Sequence, residues 1–391
     1  MKITCAVLAG LLALAAVPAS AQLDKIKLSD TIQSIKFSGD IRLRSDSYKK
    51  RGPGLNDRNR LRYRLRFGPV IELPENLSAI IRLGSGTGEQ VSTNQSYDNL
   101  SGQKALWVDL MYLRWKPTFN DNATASVQAG RMANPLWRTY SSDVVWDDDF
   151  NPEGFGESVE WLFPDAGVSV FANGLQAVAD EDSGRGKNQM YFSQQLGFET
   201  RLPLDSRLRV AGAYHKWSDE NQSTLSQASF QDGNRRAANS SSGALLNRFG
   251  VGEVTGQLSG WAGGIPVSLQ ATVVRNLRAI DFATPAFAVG PVARDAYQFG
   301  AIIGAAKKTG SWELGYFKKY VQTDATVADV ADSDFGDGGT NRVGHIAWVA
   351  YAPRDWMLLK AKGFVTDTID RQFLPGDKAV NRLQVDVAVK F

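Results

Sequence analysis

Across 391 residues, 44 Lys and Arg oppose 41 Asp and Glu, a formal net charge of +3. That near balance gives no case for a nucleic-acid partner. The one cysteine, Cys5, lies in the N-terminal leader, which excludes a disulfide framework from the rest of the chain.

Residues 1–21 carry Lys2, an apolar run and a small-residue site, Ala19-Ser20-Ala21, before Gln22. They read as a secretory signal peptide. Residues 22–35 are expected to be a short periplasmic segment, helical or disordered, and residues 36–391 one closed domain. No later run of about 18 apolar residues occurs, so no transmembrane helix is expected. Barrel strands would escape such a search, because each averages lipid-facing with lumen-facing residues.

Alternation of apolar and polar residues between turn signals predicts strands in chain order at 36–46, 58–72, 76–87, 104–116, 123–132, 156–163, 166–176 and 188–202. The pattern continues at 206–218, 246–262, 266–278, 294–308, 311–323, 340–352, 355–369 and 379–391. Short turns such as PEN, PLDS and PRD alternate with long polar connections, as in outer-membrane barrels with short periplasmic turns and long outer loops. The even count puts both ends on the periplasmic side. The expected fold class is therefore all-β, a transmembrane antiparallel β-barrel of sixteen strands. The final strand ends on Phe391, which resembles the C-terminal signal that such barrels present to their insertion machinery.

The second strand, DRNRLRYRLRFG, sets Arg60, Arg62, Arg64 and Arg66 on one face and Leu61, Tyr63, Leu65 and Phe67 on the other. Facing those arginines to lipid would cost about 2–4 kcal/mol each near the midplane, so they are expected in a watery lumen. A sixteen-stranded ring is wide enough to hold one. The same alternation turns Asp40, Arg42 and Arg44, then Arg82, then Lys360 and Lys362, then Arg382, Asp386 and Lys390 inward. These strands are neighbours once the ring closes, so one wall should be dense in positive charge. The strand at 104–116 is ambiguous. Asp109 inward puts Arg114 outward, unless a bulge intervenes or Arg114 lies at the periplasmic rim. Trp107, Trp115, Trp161, Trp312 and Trp356 fit an interfacial girdle.

Several other signals carry less. GSGTG at 84–88 lacks the Lys-Ser/Thr and helix of a phosphate loop and reads as a strand-end turn. Asp329, Asp332, Asp334 and Asp337 miss the EF-hand spacing and read as a solvated outer loop. His215 is expected to line the lumen, and no serine or acidic partner is marked beside either it or His345. No metal site, cofactor or catalytic centre is expected.

The segments FSGDIRLR, DRNRLRYRLRFG, RLGSGTGEQVSTNQ, VDLMYLRWKP, QAGRMANPLW and VVWDDDFNPEGF, in this order, resemble the "putative porin" family of Gram-negative outer-membrane proteins. The resemblance is densest over residues 36–156. It implies an outer-membrane barrel that passes small hydrophilic solutes, and it names no substrate. General porins fold a loop inward after the fifth strand. By that likeness 133–155 would set Asp143, Asp147, Asp148, Asp149 and Glu153 across a constriction from the basic wall, which favours polar, dipolar solutes, unless 147–149 is a solvated loop tip; the basic wall itself suggests a mild anion preference. The other readings are direct pairing of those acids with the arginines, a channel specific for an anionic sugar or organic acid, a barrel enzyme, or a plugged structural barrel. The partners expected are outer-membrane lipid, the insertion machinery through Phe391, and small solutes. A homotrimer follows by analogy with general porins.

Overall fold

The structure, a computed structural model, describes residues 29–391 apart from 53, 182, 185, 219–232, 237–244, 280–292 and 372–377. The expected signal peptide, residues 22–28 of the periplasmic segment and most of the polar stretch 219–245 lie outside the described residues.

Sixteen long strands follow one another: β1 (Ser34–Arg51), β2 (Arg58–Glu72), β3 (Leu77–Gly84), β4 (Trp107–Trp115), β5 (Ala123–Arg131), β6 (Glu153–Phe163), β7 (Val168–Asp180) and β8 (Gln189–Leu202). Then come β9 (Ser206–Trp217), β10 (Gly250–Ala262), β11 (Ile265–Asn276), β12 (Asp295–Gly304), β13 (Trp312–Val321), β14 (Arg342–Arg354), β15 (Met357–Thr368) and β16 (Ala379–Lys390). Two short strands supplement them. Gln95–Ser96 pairs with Arg62–Tyr63 of β2, and Thr118–Asn120 folds onto β5.

Each long strand pairs antiparallel with its neighbours, and β1 pairs with β16 from Asp40↔Lys390 to Arg51↔Ala379. The sheet is thus a closed sixteen-stranded barrel, as the alternating pattern predicts. Closure gives every strand a partner on both sides, which a lipid environment demands of the backbone. Boundaries move by a few residues: β1 runs on to Arg51, β3 stops at Gly84 and β6 begins at Glu153.

Side chains sort as the period-two pattern requires. Phe37, Leu61, Leu196 and Val273 are exposed on the outside, Leu196 to 64 %, whereas Arg44, Arg62 and Arg382 are buried inside the ring. All five predicted rim tryptophans are exposed on the outer surface. Tight turns carry the special backbone. Gly263 and Gly264, at φ +57° and +80°, make the two-residue link between β10 and β11. At the seam, Gly39 donates its N–H to the Phe391 carbonyl at 2.9 Å. A Cβ on Gly39 would stand 2.5 Å from the Arg66 carbonyl oxygen and 2.7 Å from the Phe391 ring, so only glycine fits.

Candidate functional site

Pairing of β1 with β2 sets Arg42 opposite Arg64 and Arg44 opposite Arg62. Like charges opposed in this way repel unless something intervenes. Carboxylates on the same inner face do so. Asp40 accepts from Arg64 (2.7 Å) and Arg66 (3.0 Å). Asp46 accepts from Arg60 (2.8 Å) and Arg382 (2.8 and 3.0 Å) and lies 3.6 Å from Arg62. Asp386 takes a two-pronged contact from Arg44 at 2.7 and 2.8 Å, with Arg42 4.0 Å away.

Arg82 donates to Asp109 at 2.5 Å. That contact resolves the ambiguous strand. The β3–β4 register jumps between Arg82↔Leu110 and Leu83↔Val108, leaving Asp109 as the extra residue of a β-bulge. Asp109, Leu110 and Tyr112 are therefore all buried, and Arg114 keeps the inward parity of Leu110 and Tyr112.

Eight of the ten predicted wall cations thus have a carboxylate within 4.0 Å. Among the described residues, Lys360 and Lys362 have none. Lys360 Nζ sits over the rings of Trp348 (4.7 Å) and Tyr140 (5.6 Å), and Lys362 Nζ over Phe364 (4.8 Å).

After β5 the chain leaves the wall and residues 132–152 enter the lumen. Apolar residues drive this: Val144, Val145 and Trp146 are buried, with Trp146 stacked on Phe150 and Trp217 at 5.5 and 5.8 Å. Polar anchors fix the path. Ser142 Oγ meets Thr272 Oγ1 of β11 at 2.9 Å, Gln298 of β12 donates to the Ser141 carbonyl, and the Trp137 N–H donates to Gln195 of β8.

The five acids expected at the constriction separate. Asp149 reaches the wall, 3.1 Å from Arg66 and 3.9 Å from Arg64. Burial alone would raise its pKa, but Arg64 and Arg66 outweigh burial and hold the carboxyl below its usual range. Asp148 stands 66 % exposed in the lumen, 3.3 Å from Arg138. Asp143 pairs with Lys319 of β13 at 2.9 Å. Burial, with the charge of Asp332 beside it, pushes Asp143 up to about 7. Asp147 turns away from the wall, accepting from the N–H of Asp149 in its own loop and from that of Ser333 in the connection 322–341, both at 2.8 Å. Burial drives its pKa well up. Glu153 opens β6, 61 % exposed, and pairs with Arg131 at 2.7 Å rather than with a cation of the basic wall.

The larger correction concerns 329–339, expected as a solvated outer loop and part of the connection 322–341. It also folds into the barrel, with Val327, Val330 and Phe335 buried. Asp332 meets Lys319 at 2.7 Å, Asp334 meets Arg382 and Arg44, and Asp337 meets Lys50 and Lys378. The cations outweigh the cost of burial and hold Asp332, Asp334 and Asp337 low. The two inward loops share backbone bonds, Asp147 N–H to the Val330 carbonyl at 2.7 Å and Asp332 N–H to that of Asp143 at 3.3 Å.

His215 also departs from expectation. It is fully buried, with Nδ1 2.9 Å from Ser193 Oγ and Nε2 3.0 Å from Glu253. Trp146 of the inward loop lies edge-on to it at 5.5 Å. The Ser-His-Glu set has hydrolase chemistry in principle; here Ser193 and His215 are buried and Trp146 covers the imidazole, so the set serves to seat the inward loop on the wall.

Residues 52–250 and 263–391 match the family model described as "Putative porin". The chain belongs to this family. The porin is similar in fold to Pseudomonas putida OprB in its high-pH structure, at TM-score 0.54 and 12 % identity over 91 % of this chain and 94 % of that one. A triple mutant of Rhodopseudomonas blastica porin aligns at TM-score 0.47 and 12 % identity over 92 % of this chain and 100 % of that one. No curated protein matches the sequence. The porin is an outer-membrane channel of a family of typically non-enzymatic channels.

Proposed function

We propose that this porin is a passive diffusion channel for small hydrophilic solutes with a mild anion preference. The observation that carries the reading is the pairing of the basic wall. Two inward loops and four acids on the wall strands answer most of its cations, and Lys360 and Lys362 remain as a small positive excess. A nearly balanced polar lumen passes dipolar solutes, and the excess biases it toward anions. The pore-lining roles follow: Arg42, Arg44, Arg60, Arg62, Arg64, Arg66, Arg82, Lys360, Lys362 and Arg382 on the wall, with Asp148 on the inward loop and Asp149 beside Arg66. Residues 1–21 act as a cleaved export signal in this reading, Phe391 is read by the insertion machinery, and the porin works as a homotrimer.

Reversal potential of the purified porin in a bilayer with a KCl gradient tests this. A modest anion preference is expected, and it should fall when Arg62 and Arg64 are both replaced by Gln while the barrel still inserts. Cation selectivity of the unaltered protein would refute the reading, and a double variant that fails to insert would show those arginines to be structural.

A further inference from the structure

Lys360 and Lys362 are two residues apart on β15 and share its inner face. The acids around them are already engaged. Glu313 accepts the Trp348 indole N–H at 2.8 Å, Asp386 holds Arg44, and Asp332 holds Lys319. Asp334 is held by Arg382 and Asp148 by Arg138. Directly opposite Lys362 in the register of β16 is Gln384, flanked on the same face by Arg382 and Asp386. Gln384 is 1 % exposed, and neither its amide nitrogen nor its oxygen has a hydrogen-bond partner. An unpaired buried amide costs about 1–3 kcal/mol, so it is a group poised for a ligand. Tyr140, exposed at the tip of the inward loop, stands over Lys360 and makes an edge contact with Trp348 at 6.4 Å.

We propose that Lys360, Lys362 and Gln384 form a binding subsite for a small organic carboxylate, whose anionic end meets the two ammonium groups and the Gln384 amide while its body lies against Tyr140. This rests on the channel reading and deepens it: the positive excess of the lumen is gathered at one place. Two compact ammonium donors suit a carboxylate, and the exposed ring gives an organic body a surface that inorganic phosphate does not use. A ligand here stands in the solute path between the inward loop and the β15–β16 wall.

The test uses the full-length porin with benzoate as probe, inorganic phosphate and neutral benzamide as comparisons. Benzoate should reduce single-channel current saturably, and calorimetry of the detergent-solubilised porin should show binding independently of conduction. Replacing Lys360 and Lys362 together by Met should raise the half-blocking benzoate concentration about tenfold or more. Gln384→Leu should raise it about threefold. Both variants should keep the unaltered barrel's resistance to SDS at room temperature. Tyr140→Ala should weaken benzoate and leave phosphate unaffected. Block by phosphate or benzamide equal to that by benzoate would overturn the subsite, as would benzoate block unchanged in the lysine variant. If anion preference persists without saturable benzoate binding, the subsite fails and the channel reading stands. If calorimetry shows binding but no current is seen, the channel reading fails and the subsite stands.

Discussion

Lys319 is the point at which both inward loops are tied to the wall, and replacing it by Met is the sharpest test of how they are held. Its side chain is 2 % exposed and bridges Asp143 of one loop at 2.9 Å and Asp332 of the other at 2.7 Å. Methionine keeps most of the length and the apolar stem but leaves two buried carboxylates facing each other without a cation. Breaking a buried pair from one side costs about 3–5 kcal/mol. Asp143 is already raised to about 7, so the costly escape is for Asp332, which Lys319 holds low, to take up a proton as well. For a carboxyl of ordinary pKa near 3.9 that costs about 4 kcal/mol at pH 7 and about 1.5 kcal/mol at pH 5. Loop docking in Lys319→Met should therefore weaken by up to about a thousandfold in equilibrium at pH 7 and recover most of that at pH 5. The readouts are open-channel current noise in a bilayer and trypsin cleavage after Arg138, both increased at pH 7 and nearly normal at pH 5. A variant with intact barrel strands and no change in either readout at pH 7 would show that Lys319 does not tie the loops. A change independent of pH would show that the two carboxylates are not its cause.

In the unaltered porin, docking should be strongest at mildly acid pH. Asp143 and Asp147 are raised, so their docked forms hold protons more firmly and docking weakens as pH climbs from about 4 toward 7. Asp149 and Asp334 are lowered, so their contribution is complete above the ordinary carboxylate range and is lost as pH falls through their depressed values. Current noise measured from pH 3 to pH 8 should pass through a minimum, and a monotonic profile would contradict the assignment. Trp146→Ala removes a buried indole from between Phe150, Tyr191 and Trp217 and should cost the loop about 3–5 kcal/mol. Faster trypsin cutting after Arg138 with unchanged strand content by circular dichroism is the expected result. Gly39→Val forces a side chain against the Arg66 carbonyl and the Phe391 ring. The variant should refold into detergent with low yield of the SDS-resistant form, while Gly212→Val, where a Cβ meets nothing within 4 Å, should refold normally.

The strands were legible because a period-two pattern is local: Leu61 outward and Arg62 inward can be read without knowing what lies beside them. What depended on a neighbour was less so. The Asp109 bulge is a property of the β3–β4 pairing, and its sign in the sequence was only that Asp109 and Arg114 could not both face inward on a regular strand. Ser193 beside His215 was within reach, because the turn at 203–205 sets Leu202 opposite Ser206 and counting outward sets Ser193 opposite His215. Glu253 was not, since a long connection separates β9 from β10 and leaves their register free. The acids of 322–341 look like a solvated tip because the cations that receive them are scattered over the chain, Lys319, Lys378 and Arg382 on or beside other strands and Arg44 and Lys50 almost three hundred residues earlier. Val327, Val330 and Phe335 among those acids were the overlooked sign of an inward path.

The seam between β1 and β16 has a consequence for assembly. A hairpin-by-hairpin order lets each new strand dock on the one before it, and the entropy of bringing distant ends together grows only logarithmically with the chain between them. The difficulty is the two raw margins that such a growing sheet carries until its final strand arrives, each a row of unsatisfied amides that hydrocarbon cannot solvate. The first strand must therefore be kept covered, or out of the hydrocarbon, until the last comes to meet it. In this chain the final zipping runs beside Gly39, where the Phe391 ring fills the space that any other residue would occupy.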